Sequence, residues 1–184
     1  MTSDAETPTP IPVPDRPLRG SIITLRAWEP AEADWYVTAR DEEVFRWTTE
    51  PRDLDEATLR RVIEGHLREP LWVGLAITDT PTGALLGNLA LTLSGEGQRR
   101  ADVSYWLAAE ARGRGAATDA VRTVARWAFH ALAVDRIDLR TDSGNHASQR
   151  VAMRSGFVPT GRSEDGHLRF TLTRPVRRRD VSSD

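Results

Sequence analysis

The chain has no cysteine and no lysine. The first absence excludes disulfides, thiolate zinc sites and any route through a cysteinyl intermediate. The second makes all 25 basic residues arginine and excludes a lysine Schiff base or a lysine nucleophile. No run approaches the ~18 apolar residues of a membrane span, and the N-terminus has no basic stretch backed by an apolar one. No membrane association is expected, and the expected location is the cytoplasm. Histidine is scarce: His66, His130, His146 and His167 show no helical metal-binding spacing, each reads as a surface or helix-end residue, and no metal is expected. Nor is there an excess of one charge. A formal net charge of −2 and a pI near 6.1 give no global attraction to nucleic acid or an anionic membrane.

What is present fits one domain. With 184 residues, 39% hydrophobic and 28% charged, the chain can bury one sizeable core and is short for two. Residues 1–18 are proline-rich and poor in large apolar groups, which predicts a flexible tail; residues 19–175 form the domain, and 176–184 a basic, polar C-terminal tail. A strand is predicted over 21–28. Glu29-Pro30 then opens a helix to about Arg40, and a second short helix covers 41–47. Leu59, Val62, Ile63 and Leu67, spaced by three and four, mark an amphipathic helix over 53–68 that Pro70 ends. Strands at 71–78 and 84–93 are joined by a turn at 79–83. A second turn at 94–97 leads to a strand at 101–107, and such short turns make these strands antiparallel. Val121, Val124, Ala125, Ala128 and Leu132 form one apolar helical face; a strand at 136–141, a short helix at 147–154, a strand opening at Phe157-Val158 and a strand at 168–173 follow. The fold class is α/β in the α+β sense: a mixed, mostly antiparallel central sheet of about seven strands flanked by helices.

Between the strand Val103-Ser104-Tyr105-Trp106-Leu107 and a helix lies Ala111-Arg112-Gly113-Arg114-Gly115-Ala116-Ala117. Glycines without Cβ let the backbone approach a ligand, and free N–H groups at a helix start favour a phosphate. Arg112 and Arg114 add positive charge. Read alone, the same run is equally a solvated turn, and Asn145 alone is a turn or helix-start residue. A dinucleotide site is disfavoured, because the third glycine position is Thr118 and the preceding strands are antiparallel; without Gly-Lys-Ser/Thr there is no P-loop.

The order of strand, glycine turn, helix, strand, Asn145, short helix and Gly156-Phe157 resembles the GNAT superfamily of acyl-CoA-dependent N-acyltransferases. Within it the RimJ/RimL type, which acetylates N-termini of ribosomal proteins, is the nearest likeness. Arg112-Gly113-Arg114-Gly115-Ala116-Ala117 matches the family's glycine signature, Ser104-Tyr105-Trp106-Leu107 its "GYWL" strand, and Asn145 to Phe157 its Asn-to-Gly-Phe helix. The resemblance covers about residues 20–174 and implies a single GNAT-like domain whose sheet is splayed at the acyl-CoA site.

It also implies acetyl-CoA as cosubstrate. Its pyrophosphate would lie on the backbone of Arg112, Gly113, Arg114, Gly115, Ala116 and Ala117. The pantetheine arm would run along Tyr105, Trp106 and Leu107, with Asn145 and Ser148 beside it. Without cysteine, transfer is direct, and the oxyanion is met by a backbone N–H of the Trp106 strand. Many members carry a helix tyrosine as the thiolate's acid, but here Ala152 stands in its place. Ser148 matches a serine of RimJ/RimL-like members and is implied as the sulfur's partner. The base is Asp102, where the subgroup carries a Glu, or Glu164 near the final hairpin; Asp102 also reads as a simple ion-pair partner. Trp47, Trp72 and Trp106 are core residues by type, one of which could line the acceptor pocket. The implied acceptor is a peptide N-terminal amine. The alternatives are a small aminoglycoside-like or polyamine substrate, which a cluster of carboxylates facing the cleft would favour, and a non-catalytic CoA-binding module. A homodimer is compatible with the sequence.

Overall fold

In the computed structural model, which describes residues 11–65, 71–94 and 99–175, one open sheet carries the chain. Its elements are β1 (Leu18–Arg19), β2 (Ile23–Ala27), α1 (Ala33–Thr38), α2 (Glu42–Trp47), α3 (Glu56–Ile63), β3 (Trp72–Asp79), β4 (Leu85–Ser94), β5 (Arg100–Leu107), α4 (Ala116–Ala131), β6 (Arg136–Thr141), α5 (His146–Arg154), β7 (Val158–Arg162) and β8 (Leu168–Thr173). The eight strands lie in the order β1-β2-β3-β4-β5-β6-β8-β7. Every neighbouring pair is antiparallel except β5 and β6, which the α4 crossover makes parallel.

Alternation sorts the two faces. Leu75, Ile77, Leu89, Leu91 and Val103 face α4, whose Val121, Val124, Ala125 and Ala128 are all buried against them, as the periodicity predicts. The opposite face carries a smaller cluster in which Trp106 meets Ala33, Tyr36, Val44 and Leu59 of α1, α2 and α3. Side-chain caps start three helices: Asp41 accepts from Val44 N–H, Asp55 from Thr58 N–H and Asn145 from Ser148 N–H.

Two expectations change. The eighth strand, β1, lies where a tail was expected, and Ile11 is buried in the main core. Within residues 11–18 the contact is made at the two ends, by buried Ile11 and by Leu18 paired with Leu25, while Val13 between them is exposed. The helix expected over 53–68 begins at its Asp55 cap, and α3 ends at Ile63. Leu67, Pro70, most of the 94–97 turn, residues 1–10 and the tail 176–184 lie outside the described residues. Among the described residues no helix is long and apolar enough to cross a membrane.

Candidate functional site

The parallel pairing of β5 with β6 stops early. It joins Arg100, Ala101 and Asp102 to Arg136, Ile137 and Asp138, after which β6 stays with β8 through Thr141 and the two strands diverge. Ala108 N–H donates to Leu86 C=O at 2.9 Å. The antiparallel alternation this sets turns the backbone groups of Ser104 and Trp106 toward β4 and those of Val103, Tyr105 and Leu107 into the gap. One expectation is thereby corrected: Trp106 does not offer its own backbone to a ligand, since β4 uses it and its ring is buried on the opposite face. The groups turned to the gap at the end of β5 are the N–H and C=O of Tyr105 and the N–H of Leu107, whose C=O accepts from Arg112.

At the end of β5 the glycine turn takes the geometry its composition suggests. Gly113 and Gly115 have φ of 76° and 86°, and Gly115 is the N-cap of α4. L-residues other than glycine pay for that region of φ. Among the described residues nothing accepts from the N–H groups of Gly113, Arg114, Gly115, Ala116 and Ala117, so an anion would find free amides and the positive end of a helix.

Arg112 departs from its expected role. Its guanidinium donates to Leu107 C=O at 3.1 and 2.9 Å and ion-pairs with Asp41 at 2.7 Å and Glu43 at 3.0 Å. Its own N–H donates to Ala109 C=O at 3.3 Å. Both its charge and its amide are spent inside the protein, which leaves the exposed Arg114 as the turn's cation. The hydrogen bond from Arg112 holds the Asp41 carboxyl down at about 2.

Across the gap, Asn145 uses its carboxamide oxygen to cap α5, accepting from Ser148 N–H at 3.0 Å, so its amide hydrogens are what it has left to offer. Ser148 Oγ lies 3.3 Å from the Tyr105 hydroxyl. Burial pushes the Tyr105 phenol up to about 12, so it stays a donor and leaves Ser148 its own hydrogen to give. Nothing in the sequence announced that pairing.

Tyr105, Asn145 and Ser148 line a cleft of about 910 Å³, together with Trp47, Trp72 and Trp106. Of the two candidate bases, Asp102 reaches the cleft but is bound: it accepts from Ser94 Oγ at 3.0 Å and sits 3.5 Å from Arg140. Glu164 is exposed and does not line the cleft. The tight turn that carries it presents Asp165 and His167 there instead. Sequence reasoning missed both of these, and it missed Glu50, which accepts from Tyr36 Oη at 2.8 Å, Trp106 Nε1 at 3.1 Å and Arg40 at 3.3 Å. Burial and the Glu50 charge raise the Tyr36 phenol. The cleft carboxylates Glu43, Glu50, Asp102 and Asp165 each face an arginine, and Asp142 accepts from Gly144 N–H.

Residues 23–158 match the family described as "Acetyltransferase (GNAT) domain". A curated relative, "Putative ribosomal N-acetyltransferase YdaF" of Bacillus subtilis (strain 168), is 34% identical over 84 residues, which span 46% of this chain and 46% of that protein. The match thus spans about half the length of that relative. RimJ of Mycobacterium smegmatis in complex with CoA-disulfide superposes with a TM-score of 0.71 at 22% identity, covering 86% of each chain. Spermidine N-acetyltransferase of Vibrio cholerae in complex with CoA and spermine gives 0.73 at 18% identity, covering 83% of this chain and 96% of that one. At these identities the two structures speak for the fold.

Proposed function

Because the chain belongs to the GNAT acetyltransferase family, we propose that the β5–β6 cleft passes an acetyl group from acetyl-CoA directly to a primary amine, with a peptide N-terminal α-amine as acceptor. The observation that carries this reading is the free β5 edge ending at the open amides of α4. The residues present fit the coenzyme. A pantetheine arm contains amides and can meet the Tyr105 and Leu107 edge as an added strand would, with Asn145 donating from the other side. The amides of Gly113 to Ala117 suit a pyrophosphate. Ser148 donates its hydrogen to the departing sulfur, taking the place of the tyrosine that Ala152 replaces. The N–H groups of Tyr105 and Leu107 are the candidates to meet the oxyanion.

Among the described residues the cleft carries five carboxylates, the feature that favours a small polycationic amine as the second reading: Glu43, Glu50, Asp102 and Asp165 each reach an arginine, Arg140 serving two of them, and Asp142 accepts from Gly144 N–H. The α-amine is preferred because it makes the smaller demand on the enzyme. With a pKa of about 7.8 it is roughly one-tenth neutral at pH 7, whereas a lysine amine near ~10.4 is neutral only a few times in ten thousand. Isothermal titration with acetyl-CoA, followed by thiol release across peptides, polyamines and aminoglycosides, tests this. Binding with fastest turnover on peptide amines is expected. Faster turnover of polyamines would overturn the acceptor class, binding without turnover would leave a CoA-binding module, and no binding would overturn the reading altogether.

A further inference from the structure

Between β7 and β8 a tight turn fixes an aspartate against a histidine. Ser163 N–H and Oγ hold His167 C=O at 2.9 and 3.2 Å, Gly166 N–H donates to Ser163 C=O at 2.9 Å, and Arg162 donates to Gly166 C=O at 2.7 Å. Within this frame Asp165 Oδ1 lies 3.1 Å from His167 Nδ1 and accepts from Ser163 Oγ. Its Oδ2 lies 3.4 Å from Arg140, which also reaches Asp102 at 3.5 Å. The turn is thereby tied to β6 and β5 near the point where they part. Asp165 and His167 both line the cleft that contains Ser148, and the imidazole is 43% exposed.

A carboxylate on Nδ1 keeps a neutral imidazole's proton on that nitrogen and leaves Nε2 with a free lone pair. The other cleft carboxylates are engaged: Asp102 faces Arg140, and Glu50 holds Tyr36, Trp106 and Arg40. We infer that His167 is the general base of the acetyl transfer, its Nε2 taking the amine's proton directly or through one water, with Asp165 as its positioning residue. This rests on the acetyl transfer proposed above. In the step, the amine nitrogen forms a bond to the acetyl carbon, the C–S bond breaks and its electron pair leaves on sulfur. The nitrogen's proton goes to Nε2, and the sulfur takes one from Ser148 Oγ, which recovers a proton from water as His167 releases its own. Amine and thioester become amide and thiol with nothing left over.

The hydrogen bonds from Ser163 and His167 keep the Asp165 carboxyl well below the usual carboxylate range. The charged groups that share the turn or this end of the cleft with His167 are Asp165 and Arg162 on its own hairpin, Arg140 on β6, Asp142 after it, Asp102 on β5 and Arg150 on α5.

The test uses the full chain, acetyl-CoA and a peptide amine. His167→Gln is expected to lower kcat/KM by about 100-fold with acetyl-CoA affinity and thermal midpoint unchanged, and to remove one ionisation from the acid limb of the kcat/KM profile, leaving that of the acceptor amine. Added imidazole should restore His167→Ala in a saturable manner. Asp165→Asn, which removes the negative partner, should move the acid limb to lower pH. An active wild type beside a His167→Gln protein of equal rate and pH profile would overturn the base and leave the transferase standing. Loss of rate with no imidazole rescue and an unmoved acid limb would make His167 structural only. A wild type that binds acetyl-CoA without turnover would overturn the transfer reading and the base with it.

Discussion

The two faces of the sheet are built differently. Toward α4 the core is aliphatic: Leu25, Leu75, Leu89, Val121 and Val124 have no exposed surface and are held by shape and burial. Toward α1 and α2 the interior is aromatic and ionic. Tyr36 meets Trp28 and Trp106 edge-on at 5.1 and 5.0 Å, Trp35 stacks on Trp106 at 6.2 Å, and Arg40 lies over the Tyr36 ring. An aliphatic face tolerates many sequences of the right size and period. The aromatic face depends on particular partners, because Arg40, Glu50, Tyr36 and Trp106 each satisfy a polar group of another. The helices α4 and α5 stand on the first face, and the α1 and α2 wall of the cleft is built on the second.

The strongest way to break this contrast is to delete one member from each face. Glu50→Ala is expected to cost about 3–5 kcal/mol, since Arg40, with a side chain only 1% exposed, would keep its charge without its partner. Leu89→Ala should cost about 2–5 kcal/mol through its cavity. Urea denaturation reads both, and only Glu50→Ala should also raise the acceptor KM. A cost near zero for Glu50→Ala would mean that the aromatic face is not interlocked.

Next in size is Ser148→Ala, expected to slow turnover by about 100-fold while acetyl-CoA affinity holds. Tyr105→Phe should give a smaller loss in the same direction, because Ser148 keeps its place and loses only its donor. Gly115→Ala sharpens the coenzyme side. Its Cβ would have room, with Ile22 Cδ1 at 3.9 Å, so the expected penalty of about 1–2 kcal/mol comes from the φ of 86° alone. Acetyl-CoA affinity should fall with it; undiminished affinity would move the pyrophosphate elsewhere.

The smallest effect belongs to Arg112 and Asp41. Asp41 titrates lower in the folded chain than when unfolded, so the pair's contribution is present above pH about 4 and disappears as pH falls toward about 2. The Asp41 side chain is 40% exposed, which limits the contribution to under about 1 kcal/mol and makes it weaken with salt. Urea midpoints against pH at low and high salt would show it, and Arg112→Ala should remove it.

The legible parts of the molecule were those whose cause is local. Strand alternation, the period of α4, the Asn145 position at a helix start and the Gly113-Gly115 turn all follow from neighbouring residues. What escaped depends on tertiary contact. Arg112 sits in a glycine turn and reads as a phosphate ligand, yet its partner Asp41 is 71 residues away. Glu50 is one acidic residue among many until Tyr36, Arg40 and Trp106 converge on it. His167 reads as a surface residue, and becomes a candidate base only when the Ser163 turn brings Asp165 to its Nδ1. Trp106 was correctly placed on a strand, but which edge its backbone faces is set by pairing with β4.

Arg112 also has a mechanical meaning. One guanidinium grips the last carbonyl of β5 and the aspartate that caps α2, while its backbone begins the glycine turn. It thereby works as a tie rod between two layers of the molecule, joining the end of β5 and the glycine turn to the first turn of α2 on the far side of the sheet.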